Sequence, residues 1–119
     1  MKFWRDKVID FALDHETARH VEEQRAWILR EPGDPRPYYN LAQLYRMQWK
    51  PEEGLALLLE AVRLDPGFAV AHVALAELYA VRNDGAAAWR HARAAEASGD
   101  ASAVHLLRRH EVAEHQSNS

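Results

Sequence analysis

The 119-residue chain contains no cysteine. That excludes disulfide bonds, thiolate nucleophiles and Cys-based zinc or iron–sulfur sites, and it leaves the redox compartment open. No window approaches the roughly 18 consecutive apolar residues that a membrane-spanning helix requires. Between Met1 and Leu13 the residues Arg5, Asp6, Lys7 and Asp10 interrupt what would otherwise be an apolar stretch, so the unbroken core of a secretory signal is missing and a cytoplasmic location is the default expectation. Positive charge is not in excess: 15 Lys and Arg stand against 18 Asp and Glu, a formal charge of −3. Binding to the phosphate backbone of a nucleic acid is therefore not expected. A glycine-rich phosphate loop, a nucleophile elbow and a zinc-protease signature are all missing, and Glu22, Glu23, Glu52 and Glu53 read as solvated helix faces. Enzymatic activity and a bound cofactor are not expected.

Seven histidines raise the question of a metal site. His15 and His20, like His110 and His115, are five apart, a rotation of about 140° on a helix, so neither pair converges on one ion. Glu16 with His20, and Glu111 with His115, share a face and read as helix-stabilising pairs. Trp27, Trp49 and Trp89 read as core or joint residues rather than as a base-stacking platform, since nothing basic accompanies them.

What the chain does contain is a globular composition, with 48% hydrophobic and 28% charged residues, and an internal period. Tyr38, Leu41, Ala42, Tyr45, Gly54, Leu58 and Ala61 fall, 34 residues later, on His72, Leu75, Ala76, Tyr79, Ala88, Ala92 and Ala95. Turn signals at Glu31-Pro32-Gly33-Asp34, Leu64-Asp65-Pro66-Gly67 and Ser98-Gly99-Asp100 separate the units. Breaks near Asp14-His15-Glu16, Trp49-Lys50-Pro51 and Asn83-Asp84-Gly85 divide each unit into two helices. Tyr38, Leu41, Ala42, Tyr45 and then Leu55, Leu58, Leu59, Val62 both follow the i, i+3, i+4, i+7 stripe of a buried helix face. Pro51 suits a first helical turn and Asp84 an N-cap.

This pattern resembles the tetratricopeptide repeat, most closely over Pro35 to Gly67, where Tyr38, Leu41, Ala42, Tyr45, Gly54, Leu58, Ala61 and Pro66 occur in order. Phe68 to Asp100 keeps Leu75, Ala76, Tyr79, Ala88 and Ala95 but places His72 at the aromatic site, Ala92 at the large site and Asp100 in place of Pro. The first unit retains Trp4, Phe11, Trp27 and Pro32 in register, while Lys7, Val8 and His20 depart from the pattern. It reads as a degenerate repeat or an N-terminal cap. The resemblance implies an all-α, right-handed α-α superhelix of helical hairpins with about seven helices, in one domain over residues 1–115. Its parts are a degenerate repeat or cap at 1–34, repeats at 35–67 and 68–100, a capping helix at 101–115 and a frayed tail at 116–119.

In proteins similar to this family the first helices of successive repeats line a concave groove that receives a peptide or helix. Carried over by register, that groove takes Arg5 and Ile9 from the first unit, Arg36, Tyr39, Asn40, Gln43 and Met47 from the second, and Val70, Val73, Glu77 and Val81 from the third. The family's carboxylate clamp is not expected: only Arg5 and Asn40 fall near clamp positions, Val70 and Ala74 stand where cations are needed, and Ile9 replaces an Asn. Val70, Val73 and Val81 form either an apolar stripe for a partner or a packing face for the terminal helix. A second surface lies on the first helix, where Phe3, Trp4, Val8 and Phe11 exceed one packing face. A homo-oligomer partner, a larger assembly, a membrane interface opposed by Asp6, Asp10 and Asp14, or the end of the solenoid could cover it. The implied function is an adaptor or scaffold module binding a partner protein, with a structural subunit of an assembly as the alternative.

Overall fold

The computed structural model describes the backbone of residues 2–115 and the side chains of residues 15–115. The described residues form six α-helices and no strand: α1 (Lys2–Arg30), α2 (Pro35–Met47), α3 (Pro51–Leu64), α4 (Ala69–Val81), α5 (Gly85–Ala97) and α6 (Ser102–Arg109). Helix starts follow local chemistry. The Asp34 carboxylate accepts the Arg36 N–H at 3.0 Å, and Pro35 and Pro51 occupy first-turn positions where their missing N–H groups cost nothing. Asp84 accepts from Ala87 N–H at 3.1 Å as an N-cap.

Four helix ends share one stop. Trp49, Asn83, Gly99 and Glu111 adopt left-handed φ values of 59°, 60°, 99° and 54°. The next residue's N–H then returns to a carbonyl five residues back: Lys50 to Tyr45, Asp84 to Tyr79, Asp100 to Ala95 and Val112 to Leu107, at 2.9–3.0 Å. This satisfies carbonyls that the helix end would otherwise leave unpaired.

Sequence-adjacent helices pack against one another, most extensively α2 with α3 and α4 with α5, an arrangement consistent with helical hairpins. Two core clusters result. Ala42, Leu58, Ala61, Ala71, Leu75 and Leu78 join α2, α3 and α4. Ala76, Ala88, Trp89, Ala92, Val104 and Leu107 join α4, α5 and α6. Against α2, α1 buries Val21, and Asn40 donates to Gln24 across the same joint at 3.1 Å.

Two expectations are corrected. The break near Asp14-His15-Glu16 does not occur: α1 runs unbroken for 29 residues, so the described residues form six helices rather than seven. None of those three residues is Gly or Pro, and Arg19 bridges Glu16 and Glu23 while His20 reaches the same two carboxylates, so local pairs favour continuing the helix. The capping helix expected over 101–115 ends at Arg109, because Glu111 turns left-handed and Val112 leaves the helix to give its carbonyl to the Trp89 indole N–H at 2.7 Å. The tail at 116–119 lies outside the described residues.

Leu58 is fully buried between α2, α3 and α4. Leu58→Ala is expected to lower the unfolding free energy by about 2–5 kcal/mol in urea denaturation. A loss well under 1 kcal/mol would show that the site is not packed as described.

Candidate functional site

The groove residues inferred by register divide into two groups. Arg36 is committed to local structure: its guanidinium pairs with Asp34 at 2.6 Å and lies over the Trp27 ring at 5.1 Å. Hydrogen bonds from the Arg36 side chain and backbone hold the Asp34 carboxyl below the usual carboxylate range. Tyr39 is half-buried with its ring edge-on to Phe68 at 5.7 Å, and Asn40 is held by Gln24. Val73 packs against the core cluster that includes α6.

The second group remains available. Met47 and Val81, one period apart at the ends of α2 and α4, are 66% and 82% exposed, and Val70 is 42% exposed. The valines thus split between the two readings given above: Val73 packs, whereas Val70 and Val81 face solvent. Gln43 and Glu77 are drawn together by Arg46, a residue the register did not select. Its guanidinium donates to Gln43 Oε1 at 3.0 Å and lies 3.7 Å from a Glu77 carboxylate oxygen, linking α2 to α4. Beside Glu77 and Val81 a cleft of about 360 Å³ opens, completed by Ala80, Leu106, Leu107, His110 and Val112. The side chains of Arg5, Ile9, Phe3, Trp4, Val8 and Phe11 lie outside the described residues.

A larger cleft, about 470 Å³, lies between α1, α2 and α3, lined by Arg25, Ile28, Leu29, Leu41, Tyr45, Glu53, Ala56 and Leu57. It shares Tyr45 and Glu53 with a neighbouring depression at the α2–α3 turn, which also includes Trp49 and Lys50. Of the two expectations for Trp49, core or joint, the structure gives the joint, since it lies between α2 and α3. It is 91% exposed, whereas Trp89 is buried and Trp27 is half-buried with its indole N–H donating to Glu31 at 2.8 Å. Trp49 sits in the left-handed turn between α2 and α3, at the break the sequence places there, and the turn directs it away from the helix faces that pack.

A histidine pair also escaped the sequence reading, because only histidines close in sequence were compared. His72 on α4 is buried, and its Nε2 lies 2.7 Å from the Pro66 carbonyl oxygen. A carbonyl can only accept, so His72 Nε2 carries hydrogen. In the neutral ring Nδ1 is then an acceptor, and the proton in the 3.0 Å contact between His72 Nδ1 and His91 Nδ1 belongs to His91. His91 stacks between His72, at 5.3 Å, and Tyr79, at 5.6 Å, so α4 and α5 are joined by a ring stack. Burial, then the neighbouring His72 and Arg90, lower the His91 pKa to about 4. The sign follows from proton uptake: between about 4 and the ordinary 6.5 the unfolded chain binds more protons, so stability is lost as pH falls through that window.

Among the described residues no group of three or more His, Asp and Glu side chains is placed to hold a metal ion, and no helix is long and apolar enough to cross a membrane. Comparison with protein-family models and with curated proteins returns no match for this chain.

The His91 contribution is expected to be about 1–2 kcal/mol after allowing for its partial exposure. His91→Leu, the residue that Leu57 supplies one period earlier, should remove that part of the loss of unfolding free energy between pH 7 and pH 4. Parallel profiles for wild type and variant would contradict the assignment.

Proposed function

We propose that this chain is a protein-interaction module of the tetratricopeptide type, a short right-handed superhelix of helical hairpins whose α2, α4 and α6 faces receive a segment of a partner protein. The observation that carries the reading is the cleft between α4 and α6, which contains two of the residues chosen by register, Glu77 and Val81. Its composition suits one apolar anchor side chain: Ala80, Val81, Leu106, Leu107 and Val112 supply apolar surface, and Glu77 and His110 supply polar groups that can orient the segment. The Arg46 bridge to Glu77 supports a preorganised groove, since it links the first helices of consecutive units before any partner arrives. Met47 and Val70 extend the apolar surface along α2 and α4.

An adaptor or scaffold role follows from binding without chemistry. Tyr39 and Asn40 take part in packing and inter-helix hydrogen bonding, so their removal would disturb the fold together with the groove. Val81 is the cleaner probe because it is mostly in solvent.

A displayed library of random peptides should yield binders that share an apolar anchor, and Val81→Glu should weaken them by about tenfold or more while leaving the helical circular dichroism unchanged. Binders indifferent to Val81→Glu, or a library that yields none, would count against the groove.

A further inference from the structure

We infer that the face built by α1, α2 and the start of α3 is a self-complementary surface on which a second copy of this chain docks. The inference is independent of the groove, which uses other residues.

The repeat supplies an internal control. In the third unit His91 and Arg90 occupy the places that Leu57 and Ala56 hold in the second, and the His91 ring is fixed there by Tyr79 and His72. The smaller pair in the second unit borders the open cleft of about 470 Å³. Next to it the polarity of the solvent-facing sites is reversed. Leu29, 84% exposed, stands where the next unit has Arg63, and Trp49, 91% exposed, stands where it has Asn83.

Trp49 is the stronger signal. Its φ of 59° matches the 60° of Asn83, but Asn tolerates the left-handed region whereas a bulky residue in it costs on the order of 1–2 kcal/mol. The chain accepts that strain in a residue whose indole it also leaves in water. Burial of an aromatic ring at an interface offsets both costs, removing roughly 150–250 Å² of surface per ring.

The occupant is identified by what the patch contains. Two apolar knobs, Leu29 and Trp49, lie beside an apolar hole, so a second copy brings a knob for the hole and a hole for the knob. The charges agree. Arg25 and Glu53 both line the cleft; among the described residues Glu53 makes no hydrogen bond or ion pair, and Arg25 pairs at 3.5 Å with Glu22 on its own helix. Across a two-fold axis each Arg25 can meet the other copy's Glu53, the reciprocity that an isologous interface demands.

Light scattering coupled to size-exclusion chromatography, on the full chain over a concentration series, tests the inference. The expected result is a concentration-dependent dimer. Leu29→Arg with Trp49→Asn installs the residues of the next unit, so it should keep the helical signal while weakening dimerisation by at least about thirtyfold. Arg25→Glu should weaken the dimer, and adding Glu53→Arg should restore it. A wild-type chain that stays monomeric throughout the series overturns the inference. So does a dimer that survives the Leu29→Arg, Trp49→Asn variant, or an Arg25→Glu, Glu53→Arg chain no better than Arg25→Glu alone.

Discussion

A β-carbon added at Gly54 would stand 3.2 Å from the carbonyl oxygen of Ala42 and 3.1 Å from Arg46 Cγ. That separation expresses the constraint under which the hairpins are built: paired helices sit backbone to backbone, and only small residues fit between them. Ala42, Ala61, Ala76, Ala88, Ala92 and Ala95 are each 0–1% exposed along these seams. Close approach in turn positions the larger groups. The His72–His91 pair can form because α4 and α5, which carry it, meet along Ala76, Ala88 and Ala92.

Much of this architecture was legible in the sequence because it rests on local chemistry. Pro35, Pro51, Asp84 and the Gly99 turn act on their own backbone neighbourhood, and their effect is the same in a peptide as in the folded chain. The period of 34 residues carried the alanine seams with it. The misplaced break near His15 has a corresponding cause: a repeat pattern was extended into residues that contain neither Gly nor Pro, where helix propensity and i, i+4 pairs decide the outcome.

Contacts between separate helices were less legible. The His72–His91 hydrogen bond spans 19 residues and depends on how α4 meets α5, which no local spacing rule reports. The cleft between α1, α2 and α3 is defined by side chains that are small or missing relative to the next unit, and such a gap is seen only once the helices are placed. Glu77 and Val81, selected by register for the groove, line the cleft near α6. Register could not foresee that Asn40 would be taken up by Gln24 and Tyr39 by Phe68, because those partners come from neighbouring elements.

Two faces follow from one packing scheme: a mixed surface along α2, α4 and α6, and an apolar surface where α1 meets α2 and α3. Both depend on the alanine seams keeping their spacing. Equilibrium denaturation of Ala61→Leu and Ala88→Leu addresses that dependence. If the seams set the geometry, each insertion forces the helices apart and lowers stability by about 1–3 kcal/mol. Variants as stable as the wild type would mean that the helices are not in close contact there, and the positions of both faces would have to be derived anew.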